Sequence, residues 1–105
     1  MTNDQLTELS AKAIGLRLLD VTTDNGSRMI HPDDGGGWWN PLKSGNDVVR
    51  LIAVLDIAID TYAQLVYSYH REEGVRLQKE RHHSHKEAMA ALRLAVTTLA
   101  ARIAE

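Results

Sequence analysis

A cluster of histidines ahead of the last predicted helix comes nearest, in residue type and spacing, to a metal site. His82, His83 and His85 stand almost side by side, and His70 lies upstream of them. Imidazole is a common ligand of zinc, nickel and copper, and nearby glutamates could complete such a set. Neighbouring side chains of an extended segment point in opposite directions, however, and the H-E-x-x-H spacing is absent. We therefore predict a solvated connection between a strand and a helix, with no metal bound.

A pair of tryptophans after a glycine-rich loop is the strongest candidate for a binding surface. If this segment is extended, successive side chains point to opposite sides. We expect Trp39, beside the rigid Asn40-Pro41 step, to be buried, and Trp38 to be more exposed. Tryptophan is enriched at the energetic centres of interfaces, and an indole can also stack on a nucleobase, although Asp33 and Asp34 would repel a phosphate backbone. Both tryptophans are candidate partner-binding residues.

Basic residues ahead of the last predicted helix form a second candidate surface. Three glutamates in the same stretch offset part of this positive charge. The side chains retained as candidate contacts to an acidic protein surface or to nucleic acid are Arg76, Lys79 and Arg81.

The aspartates Asp20, Asp56 and Asp60 are the remaining candidates for acid–base chemistry or magnesium binding. Asp56 and Asp60 alternate with apolar residues, so the simpler interpretation is the solvent side of a strand. None of the serines lies in a nucleophile-elbow context, and a chain without cysteine has no thiolate chemistry. We therefore predict a non-enzymatic protein with no catalytic residue and no cofactor.

Three helices are predicted around these residues. The first has a helical apolar period and should end at Gly15, which readily adopts a left-handed conformation. The second begins at Ser44, with Asp47 three residues on as the analogue of a capping box. The third follows Ser84 and Glu87, an S-x-x-E capping box ahead of a long apolar stripe.

Strands are predicted wherever the apolar period changes to two. Asn25-Gly26 is a strong turn signal and joins the first two of them as a hairpin. The segment from Trp38 to Leu42 is treated as a loop and turn, and short turns between the later strands favour antiparallel pairing. The predicted strands cover residues 16–21, 28–31, 56–60, 65–69 and 75–79.

Length and composition are those of one ordinary folded unit. The chain has 105 residues, of which 44% are hydrophobic and 25% charged, with a net charge of −2. We predict a single α+β domain over residues 1–105: one mostly antiparallel sheet of four to five strands packed with three helices, like an α–β–α sandwich. The amino terminus does not look like a signal peptide, and no apolar stretch approaches the roughly 18 residues of a membrane span. We expect a cytoplasmic protein.

A short motif links the chain to a known family. Trp39-Asn40-Pro41-Leu42, followed closely by a helix, resembles a pattern in small bacteriophage proteins with an α–β–α sandwich domain of unassigned function. Ala11-Lys12-Ala13 and the closing segment Ala88–Val96 are similar to the family's first and last helices. The chain departs from the pattern at Lys43–Asn46, where members often carry acidic turn residues. The resemblance implies a phage or prophage origin and the host cytoplasm, and it implies no catalytic residues.

Two classes of function follow as hypotheses. The leading one is a non-enzymatic phage accessory protein that binds a protein partner, such as a host defence or regulatory complex. The alternative is a nucleic-acid-binding module that uses the basic strip and an exposed tryptophan. A metal-binding or enzymatic domain around the histidine cluster is a third reading, and the residues favour it least.

Overall fold

A computed structural model describes residues 1–62, 64–70, 77–81 and 84–105 of the chain. This part contains three α-helices and two separate three-stranded antiparallel sheets. The predicted α+β class is confirmed, but the prediction of a single sheet is wrong. Within the described residues, none of the helices combines the length and the apolarity needed to cross a membrane.

Both ends of the first helix, α1 (Asn3–Ala13), are determined by residues adjacent to it in the sequence. The Thr2 hydroxyl accepts from the Gln5 N–H at 3.2 Å, and the Gln5 side chain accepts from the Thr2 N–H at 2.8 Å. This reciprocal pair satisfies two amide groups that the helix itself leaves open. The helix ends before Gly15, whose φ of +78° is in the left-handed region, as predicted.

The other two helices also begin where the sequence indicates. Ser44 caps α2 (Gly45–Leu55) by accepting from the Asp47 N–H. Ser84 caps α3 (His85–Ala104) by accepting from the Glu87 N–H at 3.1 Å. Asp56, predicted to be a strand residue, instead ends α2 in the left-handed region, with φ of +53°.

The first sheet consists of β1 (Leu18–Thr22), β2 (Arg28–Ile30) and β3 (Trp38–Trp39), in that order. The predicted hairpin is therefore present, and β3 is a strand that the sequence did not predict. β3 stops after two residues because the next amide, that of Asn40, donates to the Asp47 carboxylate at 2.9 Å. Pro41 then has no N–H to donate. The ladder with β2 therefore ends at this point.

The second sheet consists of β4 (Ile57–Tyr62), β5 (Leu65–His70) and β6 (Leu77–Arg81), in that order. Burial alternates along β5, the central strand. Val66 packs with Ala91 and Ala95 of α3, and the Ser68 hydroxyl donates to the Ala95 carbonyl at 2.9 Å. One face of this sheet therefore lies on α3. The predicted turn at residues 72–74 lies outside the described residues.

The last helix, α3, is the central element of the molecule. It packs against α1, α2, β5 and β6. Its alanines allow this close approach from several directions, and its fully buried residues include Ala95, Val96 and Leu99. Side chains from both sheets reach the same core cluster, since Ile30 and Trp39 of the first sheet and Ile57 of the second belong to it.

Candidate functional site

Trp39 is fully buried and is anchored to the first helix. Its indole Nε1 donates to the Thr7 carbonyl at 3.1 Å and lies 3.3 Å from the Ser10 hydroxyl. The Thr7 and Ser10 side chains are themselves buried. Trp39 is therefore a core residue, and its indole is not available to a partner at the surface of the folded chain.

Asn40 connects the Trp39 strand to two other parts of the chain. Its side-chain amide donates to the Asn25 carbonyl at 3.2 Å and to the Ser27 hydroxyl at 3.3 Å. Its backbone amide donates to the Asp47 carboxylate. Its carbonyl accepts from the Ser44 N–H at 2.8 Å, so Asp47 does not complete the predicted capping box. Burial raises the pKa of the Asp47 carboxyl. The Asn40 amides thus fix the hairpin turn and the start of α2 to each other.

The rest of the motif extends these connections to the last helix. Pro41 is fully buried, and the Leu42 carbonyl accepts from the Arg93 guanidinium at 3.1 Å. The segment from Trp39 to Leu42 is therefore joined by hydrogen bonds to α1, the hairpin, α2 and α3. These contacts support a structural role for this turn. No local sequence signal marks Arg93 for this contact, because its partner lies 51 residues away.

Trp38 has the opposite environment, as predicted. Trp38 is 45% exposed, although it lies on β3 directly beside the buried Trp39. Across the ladder it pairs with Met29, which is half-buried. Val21, 46% exposed, lies on β1 of the same sheet. We call Trp38, Met29 and Val21 the Trp38 surface.

The loop before Trp38 is held in place by one arginine. The Arg17 amide donates to the Asp34 carboxylate at 2.9 Å, and the Arg17 guanidinium lies 3.3 Å from both Asp33 and Asp34. The hydrogen bond from the Arg17 amide is the main cause of the lowered pKa of Asp34. His31 caps the short 3-10 turn Pro32–Asp34 by accepting from the Asp33 amide at 3.1 Å.

Three glycines complete the approach to Trp38. Gly35, Gly36 and Gly37 have φ values of +106°, +66° and +95°. Side-chain-bearing residues rarely adopt such angles. This run lets the chain reverse sharply between the short 3-10 turn and β3.

The predicted basic strip is only partly within the described residues. Arg76 lies outside them. Lys79 and Arg81 occupy positions on β6 that pair with Tyr67 and Leu65 of β5. Their assignment as contacts to a partner stays a prediction.

The histidine cluster and the acidic set do not form a site in the described residues. His82 and His83 lie outside them, His85 is the first residue of α3, and His70 is buried on β5. Among the described residues, no group of three or more metal-ligating side chains comes together. The three aspartates of the acidic set stand on different elements, namely β1, the end of α2 and β4.

The fold and the Trp38 surface define a small α+β protein with an exposed aromatic residue on a fixed strand. No protein-family model, curated protein or solved structure matches this chain. The resemblance to small phage proteins therefore stays a prediction.

Proposed function

We propose that this protein is a non-enzymatic binding module that docks on a protein partner through the Trp38 surface. The observation that carries the proposal is that Trp38 is 45% exposed on a strand whose opposite face is anchored to the core. Trp39, the next residue, ties this strand to α1 through its Nε1 hydrogen bond to the Thr7 carbonyl. Trp38 is thus held by a strand anchored to the core, and nearly half of its surface stays open to solvent.

The energetics of association favour such a residue. A tryptophan buries a large area on docking and has few rotatable bonds to order. Since β3 is already held in its bound shape, little further ordering is needed when a partner arrives. Met29, half-buried beside Trp38, adds an adaptable apolar contact.

Charge close to Trp38 favours a protein over a nucleic acid at this surface. Asp33 and Asp34 lie in the loop that leads to it, and the lowered pKa of Asp34 keeps that carboxylate ionised. Arg17 neutralises only part of this charge. A phosphate backbone would be repelled, whereas a protein surface can match both the apolar centre and the acidic rim.

The biological setting is proposed from the family resemblance. The resemblance of residues 39–42 to small phage proteins supports a phage or prophage origin and a host-cytoplasm location. In that setting the partner is a protein of a host defence or regulatory complex.

A comparative capture experiment tests the proposal. The wild-type protein, Trp38→Ala and the matched control Val54→Ala are used as baits in the same lysate, with quantitative mass spectrometry. Val54 is 58% exposed and lies on α2. Val54→Ala therefore removes exposed apolar surface from an element other than the Trp38 strand. We expect at least one protein to be captured by wild type and Val54→Ala and lost with Trp38→Ala.

The captured protein is then purified and titrated directly. For an interface centred on Trp38, we expect Trp38→Ala to weaken binding by about 30-fold or more. If Trp38→Ala captures the same proteins as wild type, with equal affinity, the Trp38 surface is not the docking site.

A further inference from the structure

The second sheet has an outer face, opposite α3, that carries aromatic side chains. On β5, Val66 and Ser68 contact α3. Side chains alternate between the two faces of a strand. Leu65, Tyr67 and Tyr69 therefore lie on the other face, where each is half-buried.

The register places basic positions beside these aromatic residues. Tyr67 pairs with Asp60 on β4 and with Lys79 on β6. Leu65 pairs with Arg81 on β6. The basic register positions thus lie beside Tyr67 and Leu65, whereas Tyr69 pairs with Ala58 and Leu77. The exposed Asp60 lies on the β4 side of Tyr67.

Aromatic residues on the face of an antiparallel sheet are a common platform for unpaired bases. Tyr67 and Tyr69 are two residues apart, about 7 Å along the strand, so each ring has room for a base of its own. Every base has an aromatic face, so stacking does not depend on sequence. The basic positions of β6 supply the charge that a phosphate backbone requires.

We propose that this outer face binds single-stranded nucleic acid, with bases on Tyr67 and Tyr69 and phosphates along β6. Asp60 repels phosphate on the β4 side and so directs the backbone towards Lys79 and Arg81. This site is separate from the Trp38 surface and does not depend on the function proposed for it.

Fluorescence anisotropy with a short labelled oligothymidylate, and with oligouridylate in parallel, tests the proposal. Tyr67→Leu and Tyr69→Leu keep an apolar side chain but lose the ring, and we expect each to weaken binding by about 5- to 150-fold. Tyr67→Phe and Tyr69→Phe are the matched controls. They keep the ring and should bind within a few-fold of wild type.

The same assay tests the role of the charged residues and the location of the site on the outer face. Between about 50 and 200 mM salt, the affinity of wild type should fall steeply, and Lys79→Gln and Arg81→Gln should each reduce the salt slope by about 1. Asp60→Asn should strengthen binding, and Trp38→Ala should leave it unchanged. DNA and RNA should bind alike, because stacking and phosphate charge are common to both.

Three outcomes would overturn the proposal. The first is no binding of either oligonucleotide at low salt. The second is binding that the leucine variants do not change while circular dichroism shows them folded. The third is a concentration-dependent dimer of the wild type that the leucine variants abolish, which would assign the outer face to self-association.

Discussion

Trp38 and Trp39 are chemically identical neighbours that differ because an extended strand sends them to opposite sides. Trp39→Ala should lower the free energy of unfolding by about 3–5 kcal/mol, since it empties a fully buried site and removes the donor to the Thr7 carbonyl. Trp38→Ala should lower it by less than Trp39→Ala does, because 45% of this residue is already exposed in the folded chain. Urea denaturation followed by far-ultraviolet circular dichroism measures both. Similar losses for the two variants would contradict the division into a core and a surface residue.

Asp47 separates the effect of a charge from that of a hydrogen-bond acceptor. Asp47→Asn keeps an oxygen for the Asn40 amide, whereas Asp47→Ala leaves that amide unpaired and should cost about 1–3 kcal/mol. Chemical denaturation at neutral pH measures the difference. If the asparagine variant is as unstable as the alanine variant, the carboxylate charge itself stabilises this junction.

The same carboxyl group gives a pH dependence with a defined sign. Burial raises the pKa of Asp47 in the folded state, so the folded chain holds this proton more tightly than the unfolded chain. The contribution of Asp47 to stability is therefore greatest below the ordinary carboxyl range near pH 4, and it is lost as the pH rises through the raised folded-state pKa. Denaturation curves measured from below pH 4 upwards should show wild type losing free energy of unfolding relative to Asp47→Asn as the pH rises, because the asparagine does not titrate.

Secondary-structure elements were predictable where their signals are local. Ser44 and Ser84 cap helices at the expected positions, and Gly15 ends α1, because these signals act within a few residues of the chain. The division into two sheets was not predictable. An apolar period of two indicates a strand but not its pairing partner, and the end of β3 involves the Asn40 amide and the Asp47 carboxylate, a contact that no periodicity reveals.

The candidate site shows the same limit. That one tryptophan would be buried and the other exposed follows from the alternation of a strand. The alternation does not predict that Trp39 contacts Thr7 and Ser10, which lie 32 and 29 residues away in the chain. The sequence alone does not indicate the tyrosine face of the second sheet, because Tyr67 and Tyr69 have the pattern of ordinary packing residues until the register with β6 is known.

The helix α3 is a single element with graded burial along its apolar stripe. Leu99 is fully buried, whereas Leu92 is half-buried at the edge of the core. Leu99→Ala should therefore cost about 2–5 kcal/mol, and Leu92→Ala should cost less. Chemical denaturation of the two variants gives the order. A larger loss at Leu92 would mean that the amino-terminal half of α3 makes the main contacts with the sheet.

The turn between β4 and β5 contains a backbone conformation that its residue does not favour. Gln64 has φ of +65°, where a side chain costs about 1 kcal/mol or more relative to glycine. Gln64→Gly should stabilise the protein by up to about 1 kcal/mol. Thr61→Gly, in the extended strand β4, is the control and should destabilise it. Melting temperatures that move in the same direction for both variants would contradict this reading of the turn.

At the scale of the whole molecule, the two sheets share one core cluster, in which Trp39 and Ile57 both take part. We therefore expect a single cooperative unfolding transition, in agreement with the predicted single domain. In Trp38→Phe, the only remaining tryptophan is Trp39, so fluorescence reports on the first sheet and circular dichroism on all elements. The two denaturation curves should coincide. An earlier fluorescence transition would show that the first sheet unfolds on its own.

The position of α3 in the chain also has a consequence for synthesis on the ribosome. Its residues are made after those of α1 and of both sheets, yet α1 packs against it. Until α3 has left the exit tunnel, α1 and the second sheet lack the surface that covers them, and their apolar side chains stay exposed to other nascent chains and to chaperones. The elements before α3 are therefore expected to fold only after α3 has left the tunnel. A ribosome-bound chain stalled before residue 84 should remain protease-sensitive throughout.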